Sequence, residues 1–331
     1  MKEISRKKFL HVCGTIVAGG VVAGVSGVLI DRNRKVSNSS GKSLKLVEEN
    51  TVISPYKLES FFQIKDGVSA IAQYEDELFV ATGKNLIVCR SNLKISRQFP
   101  IGEETVRDIA VDAGHIYLLH PAKISVYTHE GKRVSVWDAC SELSNYCSFT
   151  LTPGFVFVTD TDNKNICQYT DEGRFVKFIE SPNKFIIPSL TFGIEYIGNK
   201  LYCSNSGRHQ VEMYNLEGEY LGSFGKAGTA PGLFTGCCNP VYISRMPNGE
   251  VITSEKGDPR ISCYGSDGSF RTILLDRKSL GGGNVAYDVK VWKDKLFVAG
   301  KDKISLFQYN AELAAHAGAC GGCGIDCPLK V

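Results

Sequence analysis

The segment Glu77-Leu-Phe-Val-Ala81 decides the fold, because close copies of it return along most of the chain. Each copy is a short, mostly apolar run with aromatic or β-branched side chains, which is typical of a buried β-strand. The copies recur at intervals of about 40–50 residues, the repeat length of β-propeller blades. The other five copies are His115–Leu119, Phe155–Thr159, Lys200–Ser204, Glu250–Ser254 and Lys295–Ala299.

A further strand-like run follows most copies after a polar loop, and several of these third strands lead into a turn with glycine. Glycine supplies the positive φ that tight hairpin turns require. The pattern predicts an all-β fold, a six-bladed β-propeller over residues 53–310, with a β-helix or two β-sandwiches as alternatives. The third strands are Ile124–Tyr127, Ile166–Tyr169, Val211–Tyr214, Ile261–Tyr264 and Ile304–Phe307, and the turn glycines are Gly131, Gly173, Gly218 and Gly268.

The sixth repeat ends at its third strand, near Tyr309, so its outer strand must come from elsewhere. The apolar segment Tyr56–Ile64, just before the first repeat, is the predicted donor. Closing the ring with this N-terminal strand hides strand edges that would otherwise pair with other chains.

One connection between repeats carries a resemblance to a known family. The segment Tyr214–Gly225, followed by Gly228 and Pro231–Phe234, resembles the connection between blades in NHL-repeat six-bladed propellers, and Asn248-Gly-Glu-Val-Ile252 resembles their blade pattern. The resemblance covers most of the propeller and implies its fold. It says little about activity, because NHL-type propellers serve as binding platforms and some of their relatives are enzymes.

Residues 1–30 have the organisation of an export signal or a membrane anchor. The first eight residues are basic, and Phe9–Ile30 is a nearly uncharged apolar run. The stretch Ser5-Arg6-Lys7-Lys8-Phe9-Leu10 resembles a twin-arginine translocation signal, with Lys7 at the place of the second arginine, and implies export of an already folded protein. An ordinary secretory signal or an uncleaved anchor are the alternatives. The predicted location is periplasmic or otherwise extracytoplasmic, with membrane contact if the segment stays uncleaved; residues 31–52 are a polar linker.

The C-terminal tail, residues 311–331, is rich in glycine and cysteine. Cys320, Cys323 and Cys327 have C-x2-C-x3-C spacing, which lets thiolates converge on one soft metal or one iron–sulfur cluster. The run ends in Cys327-Pro328 and resembles the latter part of a bacterial ferredoxin motif without its first cysteine. That resemblance implies an iron–sulfur cluster that lacks one ligand.

The adjacent pair in Gly236-Cys237-Cys238-Asn239-Pro240 is the predicted source of the missing ligand. An extended chain over residues 310–320 spans up to ~33 Å, against ~15–20 Å for a strand, so Cys320 could reach Cys237. Three alternatives remain open. The adjacent cysteines could each pair with a tail cysteine as disulfides, they could form a redox-active dithiol, or the metal could be zinc with His316 as an added ligand.

The remaining thiols of the predicted propeller fall into two groups among the chain's twelve cysteines. Cys140 and Cys147 lie before the third blade and could close a short disulfide loop. Cysteines inside predicted strands are expected to pack in the core as small apolar residues. These are Cys89, Cys167, Cys203 and Cys263.

The loop Ser254–Arg260 mixes charges and is predicted to lie on the same face as Cys237, so it is the candidate docking surface for a protein partner in the cell envelope. A net charge of +3, without a dense basic stripe, is too small to indicate nucleic-acid binding. The predicted partner-docking residues are Glu255, Lys256, Asp258, Arg260 and His209.

Motifs of hydrolytic enzymes are lacking in the sequence: there is no Gly-x-Ser-x-Gly elbow and no metal-binding histidine pair. Asp108, Asn239 and Asp288 could line a central channel, as acidic and amide ligands do in gluconolactonase-like propellers, but no glutamate completes that set. The leading hypothesis is therefore a non-hydrolytic propeller with a cysteine-ligated centre, active in electron transfer or as a redox partner. A disulfide-stapled propeller that binds protein or glycan is the main alternative, and a metal-dependent lactonase-like hydrolase is the third.

Overall fold

The computed structural model describes residues 54–314, and nearly all regular structure in that range is β-strand. A short α-helix at Arg277–Leu280 and a 3-10 helix at Ser206–Arg208 interrupt the strands. The first twelve strands are β1 (Tyr56–Gln63), β2 (Ala70–Tyr74), β3 (Glu77–Ala81), β4 (Asn85–Arg90), β5 (Ile95–Pro100), β6 (Asp108–Val111), β7 (Ile116–His120), β8 (Lys123–Tyr127), β9 (Arg133–Asp138), β10 (Tyr146–Thr152), β11 (Phe155–Asp160) and β12 (Asn165–Thr170). The others are β13 (Phe175–Ile179), β14 (Ile194–Ile197), β15 (Lys200–Asn205), β16 (Gln210–Tyr214), β17 (Tyr220–Phe224), β18 (Tyr242–Arg245), β19 (Val251–Ser254), β20 (Ile261–Tyr264), β21 (Phe270–Leu275), β22 (Asp288–Trp292), β23 (Lys295–Ala299) and β24 (Lys303–Tyr309).

The strands form six four-stranded antiparallel sheets, which confirms the six-bladed propeller. Five blades consist of four consecutive strands each. The sixth has the order β1-β24-β23-β22, so the N-terminal strand closes the ring as predicted. In that pairing Tyr56 lies opposite Tyr309 and Gln63 opposite Lys303.

Burial differs between strands in the way that blade packing requires. The second strands, such as β3 and β23, are almost entirely buried, because neighbouring blades cover both of their faces. Outer strands such as β9 and β13 are mostly exposed. The apolar clusters lie between blades: one of them joins Ile252 and Cys263 of the fifth blade to Val289 and Leu296 of the sixth. The core is therefore distributed around the ring.

One turn glycine shows how neighbouring blades fit together. Gly173, between β12 and β13, has φ +84°, a backbone conformation that L side chains rarely adopt. A Cβ atom at this position would collide with the indole ring of Trp137 in β9, the outer strand of the preceding blade. Both the turn geometry and the contact with the preceding blade thus require glycine here.

The antiparallel order gives the ring two faces. The upper face carries the connections between blades and the loops that join second and third strands. The lower face carries the other hairpin turns and the point where the described chain enters and leaves, since Asn310 N–H donates to the Pro55 carbonyl at 2.8 Å. After Asn310, residues 311–314 are helical. No helix within residues 54–314 is long and apolar enough to cross a membrane.

Candidate functional site

The adjacent cysteines lie on the upper face, as expected, in the connection between β17 and β18. We call residues 236–240 the dithiol loop. The Sγ atoms of Cys237 and Cys238 are 3.0 Å apart; Cys237 is exposed, whereas Cys238 is buried. Burial and the contact with Cys237 raise the pKa of the Cys238 thiol, and the Lys256 ammonium partly opposes this. The loop therefore presents one accessible sulfur with a second directly behind it.

A buried ion pair fixes the chain that leads into the dithiol loop. Arg260 Nε donates to Glu255 Oε1 at 2.6 Å, and both side chains are at least nine-tenths buried. The other arginine nitrogens donate to the carbonyls of Thr229 and Leu233. The backbone N–H of Thr235 donates to Glu255 Oε2 at 2.9 Å. The pair thus connects three segments of the upper face through one set of hydrogen bonds.

Further hydrogen bonds hold the dithiol loop itself. The Asn239 side chain donates to the carbonyls of Thr235 and Lys256 and accepts from Lys256 N–H at 2.9 Å. His209 Nε2 lies 2.6 Å from the Gly236 carbonyl oxygen. Asn239 is therefore a structural residue of this loop and does not line the central channel as suggested from the sequence.

The five predicted docking residues have different environments. Glu255 and Arg260 are buried and bond to each other, so they shape the loop and present no charge to a partner. Lys256 is half-buried and Nζ donates to Ser189 Oγ at 3.2 Å. Asp258 is exposed, and His209 is half-buried beside Gly236. Lys256 and His209 therefore contact the dithiol loop, whereas Asp258 Oδ1 lies 3.8 Å from Arg277 Nη1.

The tail cysteines Cys320, Cys323 and Cys327, like His316 and the predicted export signal in residues 1–30, lie outside the described range. Within residues 54–314, no group of three or more His, Cys, Asp and Glu side chains is arranged to hold a metal ion. The dithiol loop thus supplies two sulfur donors, and a metal centre at this place needs further ligands from outside residues 54–314.

The four cysteines predicted to be in the core are there, but Cys140 and Cys147 are not placed to form the predicted disulfide. Cys89, Cys167, Cys203 and Cys263 are buried in strands. Cys147, however, belongs to strand β10 and packs with Phe157 and Cys203 on one side of the third blade. Cys140 packs on the other side, where its Sγ lies 3.3 Å from Sγ of Cys167. Tyr146 and Cys147 are successive residues of β10, so their side chains face opposite sides of the blade. Cys140 lies on the Tyr146 side and therefore meets Cys167 and not Cys147.

A second cluster of functional groups lines the central channel, where the six inner strands converge. Ser148 Oγ donates to Asp108 Oδ2 at 2.7 Å, and Lys290 Nζ lies 3.1 Å from Asp288 Oδ1. Nearer the lower face, Arg245 Nη1 lies 3.5 Å from Glu195 Oε1. The space between these side chains, counted with its open mouth, is about 730 Å³.

Burial and neighbouring charges shift the pKa values of three residues that line the channel. Burial raises the pKa of Asp108 to about 6, and the neighbouring Asp288 adds to this while Lys290 opposes it. Burial also raises the pKa of Glu195, against the attraction of Arg245. Burial alone would lower the pKa of Lys290, but Asp288, Asp108 and Glu195 together raise it. The channel therefore holds its lysine charged, while two of its carboxyl groups, those of Asp108 and Glu195, bind protons more readily than usual.

The sequence indicated two of these channel residues, Asp108 and Asp288, but not Glu195, Arg245 and Lys290. Glu195 does line the channel, yet the acidic side chains of the described residues form no metal-binding group there. Each inner strand begins the repeat, and a charged residue in that short apolar run must face either a blade core or the channel. Aligning the inner strands by repeat would have shown Glu195 in β14 and Lys290 in β22 as inward-facing charges.

Comparisons with known proteins agree on the fold. No family model matches the chain, and no curated protein matches it in sequence. Among solved structures, the chain is similar to a streptogramin B lyase, with 16% identity, a TM-score of 0.58 and coverage of 77% of this chain and 98% of that one. It is also similar to virginiamycin B lyase from Staphylococcus aureus (16% identity, TM-score 0.54, 76% and 99% coverage). A protein of unknown function from Bacteroides thetaiotaomicron is a further match (13% identity, TM-score 0.55, 76% and 72% coverage). At these identities the likeness establishes the propeller fold only.

Proposed function

We propose that this chain is an exported or membrane-tethered propeller that carries a cysteine-ligated centre and acts in electron transfer, or as a redox partner, within an assembly of the cell envelope. The dithiol loop carries the proposal: an exposed Cys237 thiol stands 3.0 Å from a buried second thiol on a loop fixed by an internal ion pair. Cysteine is usually buried in proteins, so packing does not account for an exposed one in this position.

Sulfur donors define the chemistry of this centre. Thiolates select soft metals and iron–sulfur clusters over hard cations, and an iron–sulfur cluster supplies one-electron chemistry at a potential that its surroundings set. Cys237, with Cys238 behind it, would be the propeller's ligands, and Cys320, Cys323 and Cys327 would complete the set. Zinc held by the same thiols and His316 would instead give a structural centre.

The tail begins on the lower face, so its reach matters. Cys320, Cys323 and Cys327 follow Ala314 by six, nine and thirteen positions. If extended, these segments span up to ~20, ~30 and ~43 Å, against ~17–20 Å for the height of a blade strand. The spans to Cys323 and Cys327 exceed the height of a blade strand, so an extended tail is long enough to cross from the lower to the upper face at these residues, whereas at Cys320 it must be fully extended.

The surroundings of the dithiol loop suit a protein partner. Lys256 and His209 contact the dithiol loop with polar groups, and the nearby sequence position Asp258 is exposed; such polar groups are typical of the rim of a transient interface. The NHL-like connection from Tyr214 to Phe234 supports the same proposal, because such propellers serve as binding platforms. The leader-like residues 1–30 support a location at or beyond the cytoplasmic membrane.

The test is metal and acid-labile sulfide analysis, with an absorption spectrum, on full-length protein purified without oxygen. We expect stoichiometric iron and sulfide in the wild type and loss of both in Cys237→Ser and Cys320→Ser. Cys89→Ser is the matched control, because Cys89 is a buried strand thiol that should leave the metal content unchanged. Colourless, metal-free wild-type protein would refute the proposal and favour a stapled binding propeller.

The central channel favours a second candidate function, binding or hydrolysis of a small polar molecule. The observation behind it is the cluster of Asp108, Glu195, Asp288 and Lys290 around one cavity. A lactonase-like activity would appear as hydrolysis of a lactone panel that depends on calcium or zinc and is lost in Asp108→Asn. Unchanged, metal-independent background rates in wild type and variant would exclude it.

A further inference from the structure

We propose that Cys140 and Cys167 are a disulfide-forming pair that links the connection between the second and third blades to the third blade itself. Their Sγ atoms lie 3.3 Å apart, and bond formation requires an approach to ~2.05 Å. Cys140 belongs to the upper-face segment 139–145, and Cys167 lies in β12, 27 positions further along the chain. The pair differs from the Cys140–Cys147 bridge that sequence spacing suggested.

The surroundings aim Cys140 at its partner. Cys140 N–H donates to the Tyr146 hydroxyl at 3.1 Å, and the same hydroxyl lies 3.5 Å from Cys140 Sγ. Tyr146 in turn bonds to the Tyr169 hydroxyl. Ser144 Oγ lies on the other side, 3.9 Å from Cys140 Sγ. This network holds the Cys140 sulfur 3.3 Å from the Cys167 sulfur, so bond formation needs a further approach of about 1.3 Å.

The two thiols differ in access, which sets the order of the reaction. Cys140 is half-buried, whereas Cys167 is fully buried, and burial raises the pKa of the Cys167 thiol. The Cys140 thiolate therefore attacks first, on the disulfide of an exchange partner such as an oxidoreductase or oxidised glutathione. A mixed disulfide forms and one partner thiolate leaves.

The second step closes the bridge. The Cys167 thiol loses its proton and attacks the Cys140 sulfur, and the second partner thiol leaves. Together the two protein thiols lose two electrons and two protons, and the partner disulfide gains both. Such a bond persists only in an oxidising compartment, so the pair is consistent with the proposed export. It does not depend on the dithiol loop or on any bound metal.

The experiment is peptide mapping of full-length protein, reduced in the folded state, exposed to oxidised glutathione and then alkylated. We expect a peptide pair joined through Cys140 and Cys167, lighter by two hydrogen atoms than the reduced peptides. A closed loop of this length should raise the melting midpoint of oxidised protein by roughly 5–10 °C over reduced protein. The shift should vanish in Cys140→Ala and persist in Cys89→Ala.

Two results would overturn the proposal. One is alkylation of both Cys140 and Cys167 after oxidation of folded wild-type protein, which needs no variant to fold. The other is an equal effect of reductant on the melting midpoint of wild type and Cys140→Ala. Because metal content is read separately, loss of the cysteine-ligated centre would leave this test unaffected.

Discussion

Replacing Arg260 with methionine should destabilise the upper face more than any change of an exposed charge. Glu255 and Arg260 have 0% and 7% of their side chains exposed. In Arg260→Met, Glu255 would keep only its bonds from the Thr235 backbone and hydroxyl. The carbonyls of Thr229 and Leu233 would each lose a charged donor.

The expected cost follows from these contacts. Removing one partner of a buried ion pair costs about 3–5 kcal/mol, because the remaining charge stays buried without compensation. Methionine fills most of the arginine volume, so the cavity adds little. Adding Glu255→Gln removes the stranded charge, and the double variant should be at least ~1 kcal/mol more stable than Arg260→Met.

Two measurements check this reasoning. Denaturant unfolding gives the free energy, and the rate of maleimide labelling at Cys238 reports whether the dithiol loop has loosened. Arg174→Met is the matched control, since its 2.8 Å pair with Glu172 is exposed and should change stability by less than about 0.5 kcal/mol. A loss below ~1 kcal/mol in Arg260→Met, with unchanged Cys238 labelling, would refute the scaffold role of the pair.

Three further predictions concern the channel, a turn and the ring closure. Burial raises the pKa of Asp108 to about 6 in the folded protein. The stability that the protonated side chain contributes is therefore complete below the unfolded pKa of ~3.9 and is lost as the pH rises through 6. The melting midpoint of Asp108→Asn should rise relative to that of the wild type between pH 4 and 8, and a difference between the two midpoints that stays constant with pH would contradict this. Gly173→Ala should lower the free energy of unfolding, measured with denaturant, by more than ~2 kcal/mol, because Trp137 blocks the new methyl group. Gly154→Ala is the control: Gly154 has φ +78° but open space around it, so the loss should be only about 1 kcal/mol. Equal losses in the two variants would argue against the contact between blades. Tyr56→Ala removes a buried aromatic ring from β1, the strand that closes the ring. The variant should lose about 3–5 kcal/mol of unfolding free energy and be cleaved faster by proteases where β1 pairs with β24. Protease resistance equal to that of the wild type would contradict this.

The repeats carried enough information to predict the fold. Successive copies of the second strand share length, apolar pattern and flanking turns, and a ring of blades buries both faces of these short strands. The short sixth repeat also identified Tyr56–Ile64 as the closing strand, which the structure shows as Tyr56–Gln63. These features are local, so the sequence displays them directly.

The candidate site was harder to predict, because its details depend on distant contacts. Glu255 and Arg260 looked like solvated charges in a polar loop, yet the chain at Thr229–Thr235 covers them and supplies their hydrogen bonds. The partner of Cys140 depends on which side of the third blade each cysteine faces, and sequence spacing does not show this. Glu195 was overlooked since a lone carboxylate in a four-residue strand gives no motif.

Differential alkylation of all twelve cysteines, read by mass spectrometry before and after metal chelation, tests the cysteine-ligated centre most directly. Cys237 is exposed, so in a metal-free protein it should react at once. We expect Cys237 to be protected together with Cys320, Cys323 and Cys327, and all four to become reactive when the metal is removed. Immediate labelling of Cys237 and the tail cysteines in anaerobically purified protein, with no change on chelation, would contradict a centre shared between the propeller and its tail.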